Sequence, residues 1–131
     1  MTAGDHPRRR RLDNRRPLDR ETLSVDGHDY IVDAGIEIHT GAVRELFLHA
    51  IKPGSALDII LDDAATVISI ALQFGVPIEA LARSVARRPA AAPSSPEDLD
   101  RLGIAAAHRL PPASAIGGAL DFLLRVESEG Q

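Results

Sequence analysis

Residues 52–77 of the chain read KPGSALDIILDDAATVISIALQFGVP, and this stretch predicts the central helix of the fold. Pro53-Gly54 indicates a turn, and Ser55 followed three residues later by Asp58 is a capping pattern for the first helical turn. Gly75 and Pro77 suit the end of this helix and the start of another. The stretch therefore predicts one long helix followed at once by a second.

The apolar residues of the long helix cover about two thirds of its circumference, which is wider than the stripe of an ordinary surface helix. At about 100° per residue, one stripe is predicted to face the core and a polar strip to face solvent. The core stripe is Leu57, Ile60, Leu61, Ala64, Ile68, Ala71 and Leu72. The polar strip is Asp58, Asp62, Thr66, Ser69 and Gln73. The remaining flank is predicted to be an interaction surface, formed by Ile59, Asp63, Val67, Ile70 and Phe74.

The segment before this helix predicts a three-stranded antiparallel meander. Strands at residues 22–25 and 28–32 flank Asp26-Gly27, a dipeptide that favours a two-residue type I′ turn. That turn pairs Val25 with His28. The third strand, residues 43–51, is apolar on both faces, so both are expected to be covered. Its predicted faces are Val43, Phe47 and Ile51 on one side and Leu46 and Leu48 on the other.

The part of the chain after Pro77 predicts further helices. The second helix extends to about Arg87, and its charged residues Glu79, Arg83 and Arg87 are predicted to form a solvated ladder. Residues 89–112 are predicted to be a linker with a short helix, and residues 113–127 a C-terminal helix in which Gly117-Gly118 indicates close packing. The predicted fold class is α+β: the meander packed against the long helix and the second helix, with an additional C-terminal helix.

The composition limits the classes of function that remain open. With 131 residues, 44% hydrophobic and 26% charged, the chain predicts a single core, assigned to residues 21–88. The chain has no cysteine, which excludes disulfides, thiolate metal sites and thiol chemistry by these residues. No run approaches the about 20 apolar residues of a membrane span, and the N-terminus lacks the apolar region of a secretory signal. A cytoplasmic protein is therefore expected.

Positive charge is concentrated at the N-terminus. Residues 1–20 contain seven arginines and three aspartates, a net charge of +4, whereas the remaining residues carry −8. This segment is predicted to be a flexible tail, and one hypothesis is that it contacts nucleic acid through Arg8, Arg9, Arg10, Arg11, Arg15 and Arg16. The alternative is a solvated leader, or an arm lying on an acidic surface of its own domain or of a partner.

Sequence motifs for catalysis or for cofactor and metal binding are not found, so no catalytic residue, cofactor or metal site is predicted. Asp58 is assigned to helix capping, Asp62 to solvent and Asp63 to an ion pair within the chain or with a partner. His28, His39 and His49 are too scattered to predict a metal site. A possible anion or nucleotide site remains at the start of the long helix, with Lys52, Gly54 and Ser55, because helix N-termini bind phosphate.

The order of these parts resembles the TSCPD domain over about residues 21–87. The resemblance rests on Gly41-x-x-x-Glu45-Leu46-Phe47-Leu48, on Lys52-Pro53-Gly54-Ser55 and on Leu72-Gln73-Phe74-Gly75-Val76-Pro77. That domain is typically found at the C-terminus of adenosylcobalamin-dependent ribonucleotide reductases and in short separate proteins. The Thr-Ser-Cys-Pro-Asp string of the family is absent here.

The resemblance implies a non-catalytic accessory module that works by protein–protein contact or self-association in or near deoxynucleotide metabolism. An activity of the chain's own is left open. Nucleotide binding at Lys52, Gly54 and Ser55 and nucleic-acid binding by the arginine-rich tail are the alternative functions.

Overall fold

A computed structural model describes residues 8–88 and 110–130 of the chain. Its elements are β1 (Leu18–Val25), β2 (His28–Ile36), β3 (Val43–Ala50), α1 (Ala56–Gln73), α2 (Ile78–Ser84) and α3 (Ala115–Glu129). The strands form one antiparallel sheet in the order β1-β2-β3. The predicted α+β fold is confirmed. Most of the predicted linker, including its short helix, lies outside the described residues.

The hairpin between β1 and β2 has the predicted register. Val25 lies opposite His28, and the turn residues Asp26 (φ 55°) and Gly27 (φ 78°) are both in the left-handed region, as a type I′ turn requires. β1 begins at Leu18, four residues before the predicted strand, because the pairing with β2 continues to the other end of both strands. The strand therefore starts inside the segment predicted to be a tail.

Val43 lies on the core side of β3 with Leu46 and Leu48, contrary to the predicted alternation. The register shifts where Ile36 lies opposite Val43 but Gly35 lies opposite Glu45, so β3 has one additional residue in its pairing, a β-bulge. The bulge turns Val43 towards the core, where it is 2% exposed. Ile51, predicted to belong to the strand, lies beyond its end and is exposed.

The core lies between one face of the sheet and the helices α1 and α3. Its fully buried large side chains are aliphatic: Leu46, Leu48, Leu72, Leu120, Leu123, Val32 and Val43. On the opposite face of the sheet, no helix packs within residues 8–88 and 110–130. Polar side chains on that face bond to one another instead. There Arg20 donates to both carboxylate oxygens of Asp33, at 2.7 and 2.9 Å. Among the described residues, helices therefore cover one face of the sheet, and a second helical layer over the other face of β3 is not found in that part of the chain.

α1 is rotated about its axis relative to the predicted orientation. Leu57 and Ile60, predicted to face the core, are exposed, whereas Ser69 and Gln73, predicted to face solvent, are buried. The buried positions of α1 are Leu61, Ala65, Ser69, Leu72 and Gln73. The long helix is confirmed, and its predicted core face is right at Leu61 and Leu72 but wrong at Leu57 and Ile60.

The cause is a set of polar contacts between α1 and the outer edge of β3, the last strand of the sheet. The Ser69 hydroxyl accepts from the N–H of Leu46 at 2.9 Å and donates to the C=O of the same residue at 3.1 Å. The Gln73 amide donates to the C=O of Arg44 at 3.3 Å, and the Asp58 carboxylate accepts from the N–H of Ala50 at 3.0 Å. Because unpaired edge groups are costly when buried, these contacts fix the orientation of the helix.

Asp58 joins the start of α1 to the end of β3. Ser55 is the N-cap and accepts from the N–H of Asp58 at 3.2 Å, as predicted. The Asp58 carboxylate bonds to the N–H groups of Gly54 and Ala50, both at 3.0 Å, rather than to Ser55. The N–H of Gly54, then that of Ala50 and the nearby His49 lower the pKa of Asp58, and partial desolvation opposes them.

The lowered pKa of Asp58 predicts a pH-dependent contribution to stability. A carboxylate with a depressed folded-state pKa stabilises the fold above its unfolded pKa of about 3.9, and this stabilisation is lost as pH falls through the folded value. Asp58→Asn is therefore expected to be less stable than the wild type at pH 7, with a gap that narrows at acid pH. Urea unfolding between pH 7 and pH 3 measures it.

The matched control for this prediction is Asp62→Asn, an exposed aspartate on the same helix. The difference in free energy of unfolding between Asp62→Asn and the wild type is expected to be small at every pH. A gap for Asp58→Asn that stays constant down to pH 3 would contradict the assigned role of this carboxylate.

Arg87 connects the second and third helices and is not part of a solvated ladder. α2 ends at Ser84, and the Arg87 guanidinium donates to both carboxylate oxygens of Asp121 in α3, each at 2.7 Å. This bidentate contact raises the pKa of Arg87, although desolvation partly opposes it. The ends of the described segments also meet here, because the N–H of Arg88 donates to the C=O of Pro111 at 2.9 Å.

The two glycines of α3 are close-packed, as predicted. A Cβ on Gly117 would lie 3.0 Å from Cβ of Pro112, and one on Gly118 would lie 2.7 Å from Cγ2 of Val25. Glycine at position 118 lets α3 approach the sheet, and glycine at position 117 makes room for Pro112. None of the helices in the described residues has the length and hydrophobicity needed to cross a membrane.

Candidate interaction surface

α1 presents a continuous strip of apolar side chains to solvent, here called its outer face. The most exposed are Ile60 (61%) and Val67 (67%). The outer face is formed by Leu57, Ile59, Ile60, Asp63, Val67, Ile70 and Phe74. Single exposed apolar residues are normal on a protein surface, whereas a contiguous patch marks an interaction site. The contacts of Ser69, Gln73 and Asp58 with β3 turn these polar residues of α1 towards the sheet. The apolar residues on the other side of the helix therefore face solvent.

All five residues of the predicted interaction surface lie on this outer face. Ile59, Val67 and Phe74 are exposed, Ile70 is half-buried and Asp63 is exposed. The outer face also includes Leu57 and Ile60, which the sequence pattern had placed in the core. Whether a partner binds there stays a prediction.

Beside the outer face a groove opens between the three helices, with a volume of about 390 Å³. Seven of its nine lining residues are aliphatic, so its walls offer packing rather than hydrogen bonds. The lining is Asp63, Ala64, Val67 and Ile68 from α1, Leu81 and Ser84 from α2, Val85, and Ile116 and Leu120 from α3. This set is called the helical groove below.

Asp63 and Val67 belong to both surfaces and join the groove to the outer face. Within the described part of the chain, Asp63 has no cation within ion-pair distance. The expected partner of Asp63 is therefore not found among those residues. It is the single charged group that lines the groove.

The sequence pattern did not predict the groove, whose apolar lining includes Leu81, Val85, Ile116 and Leu120. Each of these residues is apolar and at helical spacing, so the pattern alone does not distinguish a sealed core from an open cleft. The one signal was the excess of apolar surface on α1, which predicted that this helix contacts more than the core of its own domain.

The proposed anion site at Lys52, Gly54 and Ser55 is exposed, or half-buried in the case of Ser55. The N–H of Gly54 already donates to Asp58, and the Ser55 hydroxyl caps α1 and donates to the C=O of Lys52 at 2.9 Å. A bound phosphate would have to displace the Asp58 carboxylate from this end. Nucleotide binding there stays a prediction, and a thermal-shift screen with nucleotides tests it.

Arginines of the N-terminal segment contact the domain at two places. Arg9 donates to the side chain of Gln73, and the N–H of Arg10 donates to the C=O of Gln73 at 2.7 Å. Arg16 forms an ion pair with Glu45 on the sheet face without a helix. These contacts match the alternative of an arm on its own domain.

The remaining arginines of the proposed nucleic-acid contact, Arg8, Arg11 and Arg15, are exposed. Their role stays a prediction. Loss of salt-sensitive binding after deletion of residues 1–20 is its test.

The three histidines lie on or beside different strands. His28 and His39 are exposed, and His49 has its Nδ1 3.8 Å from an oxygen of Asp58. Among residues 8–88 and 110–130, no group of three histidine or carboxylate side chains is arranged to hold a metal ion.

Known proteins match part of the chain. It is 36% identical over 75 residues to the vitamin B12-dependent ribonucleotide reductase of Rhodopirellula baltica and 35% identical over 71 residues to that of Agrobacterium fabrum. These matches cover 57% and 54% of this chain but 7% and 6% of the two curated relatives. No family model and no solved structure matches the chain. The chain is therefore similar to a small region of these reductases.

Proposed function

We propose that this chain is a non-catalytic protein-binding module similar to the TSCPD domain, acting in or near deoxynucleotide synthesis. The observation that carries the proposal is the outer face of α1, a strip of apolar side chains that are exposed to solvent, except for the half-buried Ile70. The similarity to a small region of two vitamin B12-dependent ribonucleotide reductases supports the metabolic context.

The residues of the chain favour binding over catalysis. These 131 residues include no cysteine, so they offer no thiol for radical or reducing chemistry. Two of the chain's less exposed carboxylates are already engaged in structure: Asp58 with two backbone N–H groups and Asp33 with Arg20. The outer face of α1 adds exposed apolar area, and burial of apolar area drives association between proteins.

The proposed partner is the vitamin B12-dependent ribonucleotide reductase of the same cell, and a second copy of this chain is the alternative. Biolayer interferometry with the purified reductase, and analytical ultracentrifugation of the chain alone, test these two partners. The expected result is binding or self-association that Ile60→Gln/Val67→Gln abolishes. Both side chains are more than 60% exposed, so the variant keeps its fold.

Ile38→Gln is the matched control. Ile38 is also an exposed isoleucine, at 56%, but it follows β2 rather than lying on α1. This variant is expected to bind as the wild type does. A strictly monomeric chain that binds no reductase, or a loss of binding that is equal for both variants, would contradict the proposal.

A further inference from the structure

The helical groove determines what kind of group can occupy it. A polar small molecule such as a nucleotide needs several placed hydrogen-bond partners in its pocket, and the lining offers two polar side chains, Asp63 and Ser84. The other seven lining residues are aliphatic. The groove therefore fits apolar side chains, which gain by leaving water.

The backbone around the groove determines the shape of the occupant. The lining residues come from α1, α2 and α3 and from Val85 beside them, and helices bond their own backbone groups internally. None of the three strands in the described residues contributes to the lining, so an entering chain finds no edge of this sheet with which to pair. Because its own backbone groups must still be satisfied, the occupant is a helix with an apolar face, as in other helix-in-groove complexes.

The charge at the rim determines what the helix must carry. Asp63 is the charged residue of the lining and has no cation near it in the described part of the chain. A helix that covers the groove brings a side chain close to this carboxylate and removes water from it. A carboxylate that loses water needs a positive partner, so the occupant supplies a lysine or an arginine at the edge of its apolar face.

The same charge argues against a second copy pairing through α1. The sequence of α1, ALDIILDDAATVISIALQ, contains three aspartates and no lysine or arginine. In a pair of copies packed through the outer face of α1, the other copy's α1 would offer no cation to Asp63, and a carboxylate that loses water needs a positive partner. A different protein with a basic amphipathic helix suits the groove better.

We infer that the helical groove binds an amphipathic helix of a partner protein, and that a basic side chain of that helix pairs with Asp63. The inference rests on the proposed function, because it specifies the chemistry of the protein partner. It does not depend on that partner being a reductase.

The test uses the full chain and a pair of synthetic helical peptides of about 16 residues, with leucines at i, i+3, i+4 and i+7 spacing. One peptide carries arginine beside the leucine stripe and the other carries glutamine at the same position. Dissociation constants are measured by fluorescence anisotropy, and nuclear magnetic resonance shifts locate the bound peptide. Both peptides are expected to shift the signals of Val67, Leu81 and Ile116, with the arginine peptide binding more tightly.

Two neighbouring aspartates provide the matched comparison. Asp63→Asn is expected to weaken binding of the arginine peptide about three- to fivefold, as for an exposed ion pair. The affinity for the glutamine peptide is expected to stay unchanged. Asp62→Asn removes the same charge from the same helix outside the groove, so its effect on either peptide is expected to stay below about twofold. Val67→Gln is expected to weaken binding of both peptides by about tenfold or more, because a buried valine contact is lost.

Several results would overturn the inference. Equal weakening by the two aspartate variants would show general attraction of a basic peptide to an acidic protein. An unchanged affinity in Val67→Gln would place the peptide elsewhere, and a dimer that excludes the peptide would make a second copy the occupant. Peptide binding that appears only when residues 90–108 are replaced by a short linker would show that the chain fills its own groove.

The inference and the proposed function fail separately. If the reductase binds through the outer face but Asp63→Asn leaves the affinity for both peptides unchanged, the proposed function stands and the helix-binding groove does not. If the peptides bind as expected but the reductase does not, the groove stands and the metabolic context fails.

Discussion

Ser69→Ala is expected to lower the free energy of unfolding by about 2–4 kcal/mol, since a buried backbone group without a partner costs about 1–3 kcal/mol. The Ser69 hydroxyl bonds to both the N–H and the C=O of Leu46, and alanine leaves both unpaired. Ser69 is buried, so water does not easily replace the hydroxyl. Urea unfolding followed by circular dichroism measures the effect.

Thr66→Ala is the control for this prediction. Thr66 lies on the same helix, is exposed, and uses its hydroxyl only within α1, where it donates to the C=O of Asp62 at 3.0 Å. Thr66→Ala is expected to change the free energy of unfolding by less than about 0.5 kcal/mol. If both variants unfold at the same urea concentration, the contact between α1 and the edge of β3 does not have the assigned importance.

Gly118→Ala is expected to destabilise the protein by about 1–2 kcal/mol, although alanine is normally the better helix residue by about 1 kcal/mol. The new Cβ would lie 2.7 Å from Cγ2 of Val25. Valine is stiff at χ1 and Val25 is itself buried, so the strain of overpacking exceeds the helical gain. Thermal or urea unfolding gives the sign directly.

A double-mutant cycle with Val25→Ala separates this clash from any other effect of the substitution. Removing the Val25 methyl groups opens the space that the new Cβ needs. In that background Gly118→Ala is expected to be neutral or stabilising. A cost that persists in the Val25→Ala background would mean that the close contact between α3 and β1 is not the reason for glycine at position 118.

Local signals allowed much of the fold to be predicted from the sequence. Asp26-Gly27 specifies its turn through backbone conformations that few other dipeptides adopt, and Ser55 with Asp58 specifies the start of α1 through one hydrogen bond. Both features involve residues close together in the chain, so no tertiary information is needed. The outcome for each agrees with the structure.

The orientation of α1 could not be predicted in the same way. Its apolar residues surround so much of the helix that hydrophobic periodicity fits more than one rotation, and Leu57 and Ile60 satisfy a core stripe as well as Leu61 and Leu72 do. The choice is made by Ser69 and its contact with Leu46, a hydrogen bond between residues 23 positions apart. A serine within a helix gives no sequence signal that it faces a strand edge.

The candidate site shows the same limit. The excess of apolar surface on α1 predicted an interaction surface, and its residues do lie together on the outer face. The groove beside it depends on the spacing of three helices, to which the packing of Gly118 against the sheet, the packing of Gly117 against Pro112 and Val85, and the contact of Arg87 with Asp121 contribute. Those distances arise from packing across the fold, so the groove could not be derived from any single stretch.

The contacts of α1 with the outer edge of β3 also limit how far this sheet can polymerise. A β-sheet adds copies without end only if both of its outer strands can accept a new neighbour. Here Asp58, Ser69 and Gln73 bond to backbone groups of Ala50, Leu46 and Arg44 along β3, so in the described part of the chain β1 is the outer strand whose edge these contacts leave open. Edge-to-edge growth therefore stops at a closed pair, and a filament built through the sheet first requires α1 to detach.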